Sequence, residues 1–246
     1  MDFIAANPDR FSKLFWRQYF LWSLRRHFNK GLVTGEEHIA AVKQSSASSQ
    51  HPTIFACTHG SWWDAALTIE LSLGQYQLEA YGMMEYKQLT KYRFFSRIGM
   101  FSVVREDSAN ALHALRYGSK LLMGTNHSLW MFPQGQLIHQ DVDRIQCEPG
   151  IGILATYLRE CRIIPVALRY ELLRDQYPTC WVRFGEPMLF NGCEGVRAVT
   201  ATTSDVLTML RDTVRDDAMS ENSSHYRTFF TGRRSVEKML DALTRK

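Results

Sequence analysis

The sequence predicts an α/β fold: a single domain whose central, mostly parallel or mixed sheet is flanked by helices, preceded by an N-terminal amphipathic, membrane-associating helix. Three observations predict it. Short apolar runs alternate with longer stretches of helical character. Hydrophobic residues make up 45% and charged residues 22%, enough apolar surface for a buried core and too little charge for a disordered chain. Residues 8–30 interleave aromatic and basic side chains.

That first segment reads PDRFSKLFWRQYFLWSLRRHFNK, with Pro8-Asp9 as helix start and Gly31 as stop. Phe11, Phe15, Trp16, Tyr19, Phe20 and Trp22 are too many rings for one face. With Arg10, Lys13, Arg17, Arg25 and Arg26 between them, the pattern suits a helix lying in a lipid interface. The competing reading is a helix that packs its rings on the core and solvates its cations.

A polar loop follows at 44–52, then the buried strand Thr53 to Thr58. Ser61 is placed to cap a helix from Trp62 to Leu73. Residues 97–105 (RIGMFSVVR) suggest a strand with a glycine entry, and 108–124 a helix. Strands are expected at 129–132, at Arg162 to Tyr170 and at Cys180 to Phe184. Helices are expected at 150–160, 203–218 and 234–245. The division expected is a helix over 1–30, a catalytic domain over 31–218 and a helical tail over 219–246. In that tail, Phe229 and Phe230 are candidates for a membrane contact.

Charge and cysteine usage narrow the function. A net charge of +4 and a pI near 8.8 suit an anionic membrane surface or phosphate-bearing substrates. Neither amounts to the basic face of a nucleic-acid binder. The five cysteines share no C-x-x-C spacing, which points to reduced thiols rather than a disulfide framework or a zinc site. No secretory leader and no spanning helix are expected, so the expected place is cytoplasmic and peripheral to the membrane.

The chemistry centres on His59 and Asp64. Within one helix a five-residue step turns about 140°, so the two would face apart. The pair meets only if His59 sits on the turn after the strand and Asp64 on the first helical turn. Gly60 permits that turn. Asp64 then orients one imidazole nitrogen and leaves the other basic. The loop Phe132-Pro133-Gln134-Gly135 follows another strand, with a glycine that lets backbone approach a ligand. Arg105 comes off an apolar strand, where a guanidinium can clamp a phosphate. Backbone amides near Gly60 or Gly135 are candidate oxyanion donors.

In order, HGSWWD, GMFSVVR, FPQG and IIPVAL resemble the four blocks of the glycerolipid acyltransferase superfamily, which includes 1-acylglycerol-3-phosphate acyltransferase. GLVTGEEHI resembles the segment before that family's first strand, Tyr86-Lys87-Gln88-Leu89 its Lys-x-x-Leu segment, and WVRFGEPM its late strand. The resemblance spans roughly residues 31 to 215. It implies that His59 is the general base and Asp64 its orienter. It implies that Lys87, Gly99, Arg105, Phe132, Pro133, Gln134 and Gly135 shape the acceptor site. It also implies an acyl-CoA or acyl carrier protein donor, a lipid hydroxyl as acceptor, and no cofactor or metal.

Two positions depart from the family pattern. Gln134 stands where glutamate is usual, and Val104 where aspartate is usual before the arginine. An amide keeps an acceptor oxygen but adds donors and removes a charge. FPQG resembles relatives that acylate carotenoid or sugar-lipid hydroxyls. Two other classes compete. A Cys57–His59 thioesterase is one, although no G-x-S-x-G elbow is present. A lipid-binding protein that lost the chemistry is the other.

Overall fold

The computed structural model describes residues 3–44 and 51–235. Within them the chain forms α1 (Arg10–His27), β1 (Lys30–Thr34), α2 (Glu37–Gln44), β2 (Thr53–Cys57), α3 (Trp63–Ile69), β3 (Ala80–Glu85) and α4 (Tyr86–Lys91). There follow β4 (Met100–Val103), α5 (Ser108–Leu122), β5 (Ser128–Met131), α6 (Gly150–Leu158), β6 (Cys161–Glu171), β7 (Thr179–Phe184), β8 (Met188–Phe190), α7 (Val196–Met219) and β9 (Arg227–Thr231).

One mixed sheet runs β4-β3-β5-β2-β6-β7-β1-β9, with β8 paired to β6. From β4 to β6 the neighbours are parallel, β6 and β7 are antiparallel, and β1 returns parallel to β7. Strand β2 shows why its sequence is apolar throughout. Phe55 and Cys57 point to one core with Leu24, Leu67, Ile164 and Val166, while Ile54 and Ala56 point to the other with Leu115, Leu154 and Leu207. A strand alternates its side chains, so one covered on both faces must be apolar at every position. Helices α1 and α3 cover the first face, and α5, α6 and α7 the second. The expected class, a single α/β domain with a mixed sheet between helices, is the fold observed.

The first helix is capped as its sequence suggests: the Asp9 carboxylate accepts from the Ser12 amide at 2.8 Å. Its rings divide between two faces rather than choosing one. Phe20 and Leu24 enter the core and Trp16 stacks on Phe94 at 3.6 Å. Phe11, Leu14, Phe15, Tyr19 and Trp22 are exposed, and at 100° per residue they fall within an arc of about 140°.

Several expectations are corrected. Gly31 does not stop a helix: α1 ends at His27, and Gly31 lies inside β1 where a Cβ would meet the rings of Phe229 and Phe230. GLVTGEEHI therefore contains a strand of the sheet rather than a lead-in to it. Residues 93–98 wind into a 3-10 helix, so the expected strand at 97–105 shrinks to β4. The helix expected to reach Leu73 changes at Glu70 into a π-helical turn, closed by the Tyr76 amide on the Leu71 carbonyl. Phe229 and Phe230 belong to β9, antiparallel to β1, and both are buried, so neither forms a membrane contact. The expected helix at 234–245 lies, beyond Ser235, outside the described residues, as does most of the expected loop at 44–52.

Candidate active site

Parallel neighbours bring their carboxyl ends to the same edge of a sheet, where open α/β folds bind ligands. β2 and β5 are such neighbours, with Ala56 beside Met131. The turn after β2 carries His59 and the turn after β5 carries Phe132 to Gly135, so motifs far apart in sequence meet. Phe132 stacks on the His59 imidazole at 4.0 Å between centroids. The Gln134 side-chain oxygen accepts from the His59 backbone amide at 2.7 Å. A backbone N–H only donates, so the atom facing it is Oε1 and the Gln134 Nε2 points away. Gln134 is thus a tie between the two turns as well as a donor.

His59 Nδ1 lies 2.9 Å from Asp64 Oδ2. The carboxylate only accepts, so Nδ1 carries the proton and Nε2 keeps a free lone pair. The same Oδ2 accepts from the Gly60 amide at 2.8 Å and the Ser61 amide at 2.9 Å. Oδ1 accepts from the Tyr170 hydroxyl at 2.7 Å. Four donors meet a carboxylate that is 0% exposed, while the imidazole is 20% exposed. A buried charge persists only when so paired. Ser61 caps less than expected: its hydroxyl accepts from the Trp63 amide at 3.2 Å, but Asp64 itself fixes the turn.

This geometry removes two expected roles. The Gly60 amide is bound to Asp64, and the Gly135 amide donates to the Phe132 carbonyl at 3.0 Å. Neither is left to hold an oxyanion. Gln134 Nε2, on the far side of that amide from its bond to the His59 backbone, is the side-chain donor of the same turn. Cys57 is equally spoken for: it is fully buried, and burial, then the Asp64 charge, push its thiol well up. A thiol so placed stays protonated and is no nucleophile.

The other predicted residues divide. Arg105 donates to the Gly135 carbonyl and lies 3.9 Å from Glu106, so it joins the FPQG turn with its guanidinium part-exposed. Pro133 is buried, and its carbonyl accepts from Glu148. Gly135 has φ +70, a conformation that favours glycine. Lys87 is exposed in the first turn of α4, at the carboxyl edge but two strands from β2. Gly99 is not brought to the site. It precedes β4, at the amino edge, and its φ of +107 ends the 3-10 helix against the Ala80 carbonyl.

Sequence reasoning missed three features. Tyr170 comes from β6, whose parallel pairing with β2 sets it beside Asp64. The loop after FPQG forms a strap: Ile138 donates to the His59 carbonyl, Gln140 bonds both backbone groups of Tyr170, and Arg169 binds Asp141 at 2.6 Å. Buried Arg211 anchors that strap through the Val142 and Asp143 carbonyls. Trp62 stands 70% exposed three residues from His59. Only the β2–β6 register, invisible in sequence, would have marked Tyr170.

A model of the acyltransferase family matches residues 32–169 of the chain. No curated protein matches it. Among solved structures, the 1-acyl-sn-glycerophosphate (LPA) acyltransferase PlsC from Thermotoga maritima is similar, with a TM-score of 0.58 and 13% identity over 84% of this chain and 79% of that one. At that identity the likeness speaks for the fold. The family match spans all four sequence blocks, and both turns that meet at His59 fall within it: the chain belongs to the acyltransferase family.

Proposed function

We propose that the chain is an O-acyltransferase that moves a fatty acyl group from an acyl-CoA or acyl carrier protein thioester to the hydroxyl of a lipid, a lysophospholipid or related glycolipid. The observation that carries this reading is the Nδ1 bond of His59 to buried Asp64, which leaves Nε2 as a base at the carboxyl edge of the sheet. The acceptor hydroxyl donates to Nε2 and its oxygen attacks the thioester carbonyl carbon. His59 takes the proton, and Asp64 stabilises the imidazolium. The tetrahedral intermediate then expels the thiolate, which takes the proton from His59 and leaves as a thiol. The thioester is already activated, so no covalent enzyme intermediate is needed. Gln134 Nε2 is a candidate donor to the oxyanion.

Membrane association belongs to this proposal. The exposed stripe of α1 offers rings to the lipid interface, with Arg10 and Arg26 to meet anionic headgroups. At the other end of α1, His27 lies 4.9 Å from the Trp63 ring, next to Asp64. Among the described residues no helix is long and apolar enough to cross a membrane.

Gln134 favours a second acceptor class. A neutral amide at this turn leaves the site without the charge a carboxylate would add, which suits a carotenoid or sugar-lipid hydroxyl. The test is free-thiol release from palmitoyl-CoA and from palmitoyl-carrier protein, by wild type and His59→Ala. The acceptors are lysophosphatidate, lysophosphatidylcholine, a glycolipid and a hydroxycarotenoid glycoside. Release should require an acceptor and fall at least about 100-fold in His59→Ala. Acceptor-independent release indicates a thioesterase. Liposome binding without release from either donor indicates a lipid-binding protein that has lost the chemistry.

A further inference from the structure

Asp64 is held from both sides, and the two sides differ. Oδ2 receives three donors: the imidazole and the amides of Gly60 and Ser61. All come from the turn on which the base itself sits. Among the described residues Oδ1 receives Tyr170 alone, from a different strand 106 residues away. We propose that Tyr170 is a positioning residue of the acyl transfer, whose hydroxyl clamps Oδ1 and so fixes the face that Asp64 presents to His59. The inference rests on the reading of His59 as general base.

The clamp is itself fixed. Gln140 Oε1 accepts from the Tyr170 amide at 3.3 Å, and Gln140 Nε2 donates to its carbonyl at 3.2 Å. The Tyr170 ring lies 5.6 Å from Phe28. Its phenol must be the donor, because the carboxylate only accepts. Burial, and then the negative charge of Asp64, push the phenol well up, so the proton stays in place at working pH.

The charged and titratable neighbours are few. Cys57 on β2 and Cys180 on β7 face the carboxylate, and burial followed by the Asp64 charge keeps both thiols protonated. On α1, His27 lies against Trp63 with Nδ1 taken by the Ser23 carbonyl. Arg169 and Glu171 flank Tyr170 in sequence, so strand alternation sends them to the opposite face of β6, where Arg169 pairs with Glu171 and with Asp141. Removing the phenol hydroxyl therefore alters one thing at the dyad: the donor on Oδ1.

The sign follows from electrostatics. Without that donor the carboxylate presents more negative potential to Nδ1, which favours the imidazolium and withdraws the free base. Tyr170→Phe keeps the ring and its contacts. The acid limb of its kcat/KM profile should move up by about half a pH unit. Its kcat should fall about tenfold, with both KM values within about twofold, since no substrate contact is lost. Replacement of Tyr170 by a fluorotyrosine, a stronger donor, should move the limb the opposite way. In an Asp64→Asn background, adding Tyr170→Phe should leave the limb where Asp64→Asn alone puts it, because the effect passes through the carboxylate.

The experiment is thiol release against pH for these variants, with the thermal melt of each recorded. Profiles superimposable on wild type for both Tyr170 replacements overturn the proposal. So does an equal shift in the Asp64→Asn background, which would mean a merely structural role. The underlying reading fails separately, if His59→Ala turns over normally. An inactive His59→Ala beside an unmoved Tyr170→Phe profile removes the clamp alone.

Discussion

Gln134 illustrates how one side chain can do two jobs that a substitution separates. Its Oε1 ties the FPQG turn to the His59 backbone, and its Nε2 is the oxyanion donor proposed above. Gln134→Glu keeps the tie, since a carboxylate oxygen accepts the same amide, but removes both N–H donors and adds a charge beside His59. Thiol release should fall by about tenfold or more, with the thermal melt little changed. Gln134→Leu loses the tie as well, and should lower both activity and melting temperature. An active Gln134→Glu enzyme would show that Nε2 takes no part in the reaction. Cys57 gives the complementary case. Buried and protonated, it should leave turnover unaffected by iodoacetamide, and Cys57→Ala should cost only about 1 kcal/mol of stability. Turnover lost in Cys57→Ala, with the fold intact by thermal melt, would revive the nucleophile. At this scale the dyad was legible in sequence, because a turn glycine between a strand and a helix leaves few places for His59 and Asp64 to go. Tyr170 was not, because its place depends on a strand pairing across a hundred residues.

Among the elements, α1 carries the sharpest division of labour. Phe20 is buried and Phe15 exposed on the same helix. Phe20→Ala should therefore cost about 3 kcal/mol or more in unfolding free energy. Phe15→Ser and Trp22→Ser should each leave the melt nearly unchanged. They should weaken binding to liposomes containing anionic lipid by about tenfold. Unchanged liposome binding by the Phe15→Ser, Trp22→Ser double variant would take the proposed membrane role from this helix. The exposed stripe could not be told from the buried one in sequence, since both are aromatic and only packing assigns them. Strand β2 was readable because burial on both faces forces an unbroken apolar run. β3 was not: AYGMME includes a glycine and ends in acid, and only its pairing with β4 and β5 makes it a strand. β9 was missed for a related reason, as two exposed-looking phenylalanines in a polar tail proved to be the inner face of an edge strand.

The whole molecule is closed by that edge. β9 covers β1, and Arg227 at its start binds Glu36, which lies between β1 and α2. Glu36 also accepts from the Tyr76 hydroxyl at 3.0 Å, at the end of the π-helical turn that extends α3. One carboxylate thus joins the C-terminal strand to the layer that carries the dyad. Burial works to raise the Glu36 pKa, but the bonds from Arg227 and Tyr76 outweigh it, and the net shift is down. A carboxyl whose folded pKa lies below its unfolded value adds stability above the ordinary carboxylate range and loses it as the pH falls through the folded value. Glu36→Gln should therefore be less stable than wild type at neutral pH, and the gap should close as the pH drops below about 4. Arg227→Met should show the same dependence, because it removes the partner of the same group. The measurement is urea unfolding of the three proteins from pH 7 to pH 3. A gap constant with pH would mean that packing rather than charge holds β9 at the edge. A gap that closes would mean that the charge of Glu36, bound by Arg227 and Tyr76, holds β9 at the edge, and that acid weakens this hold by protonating the carboxylate.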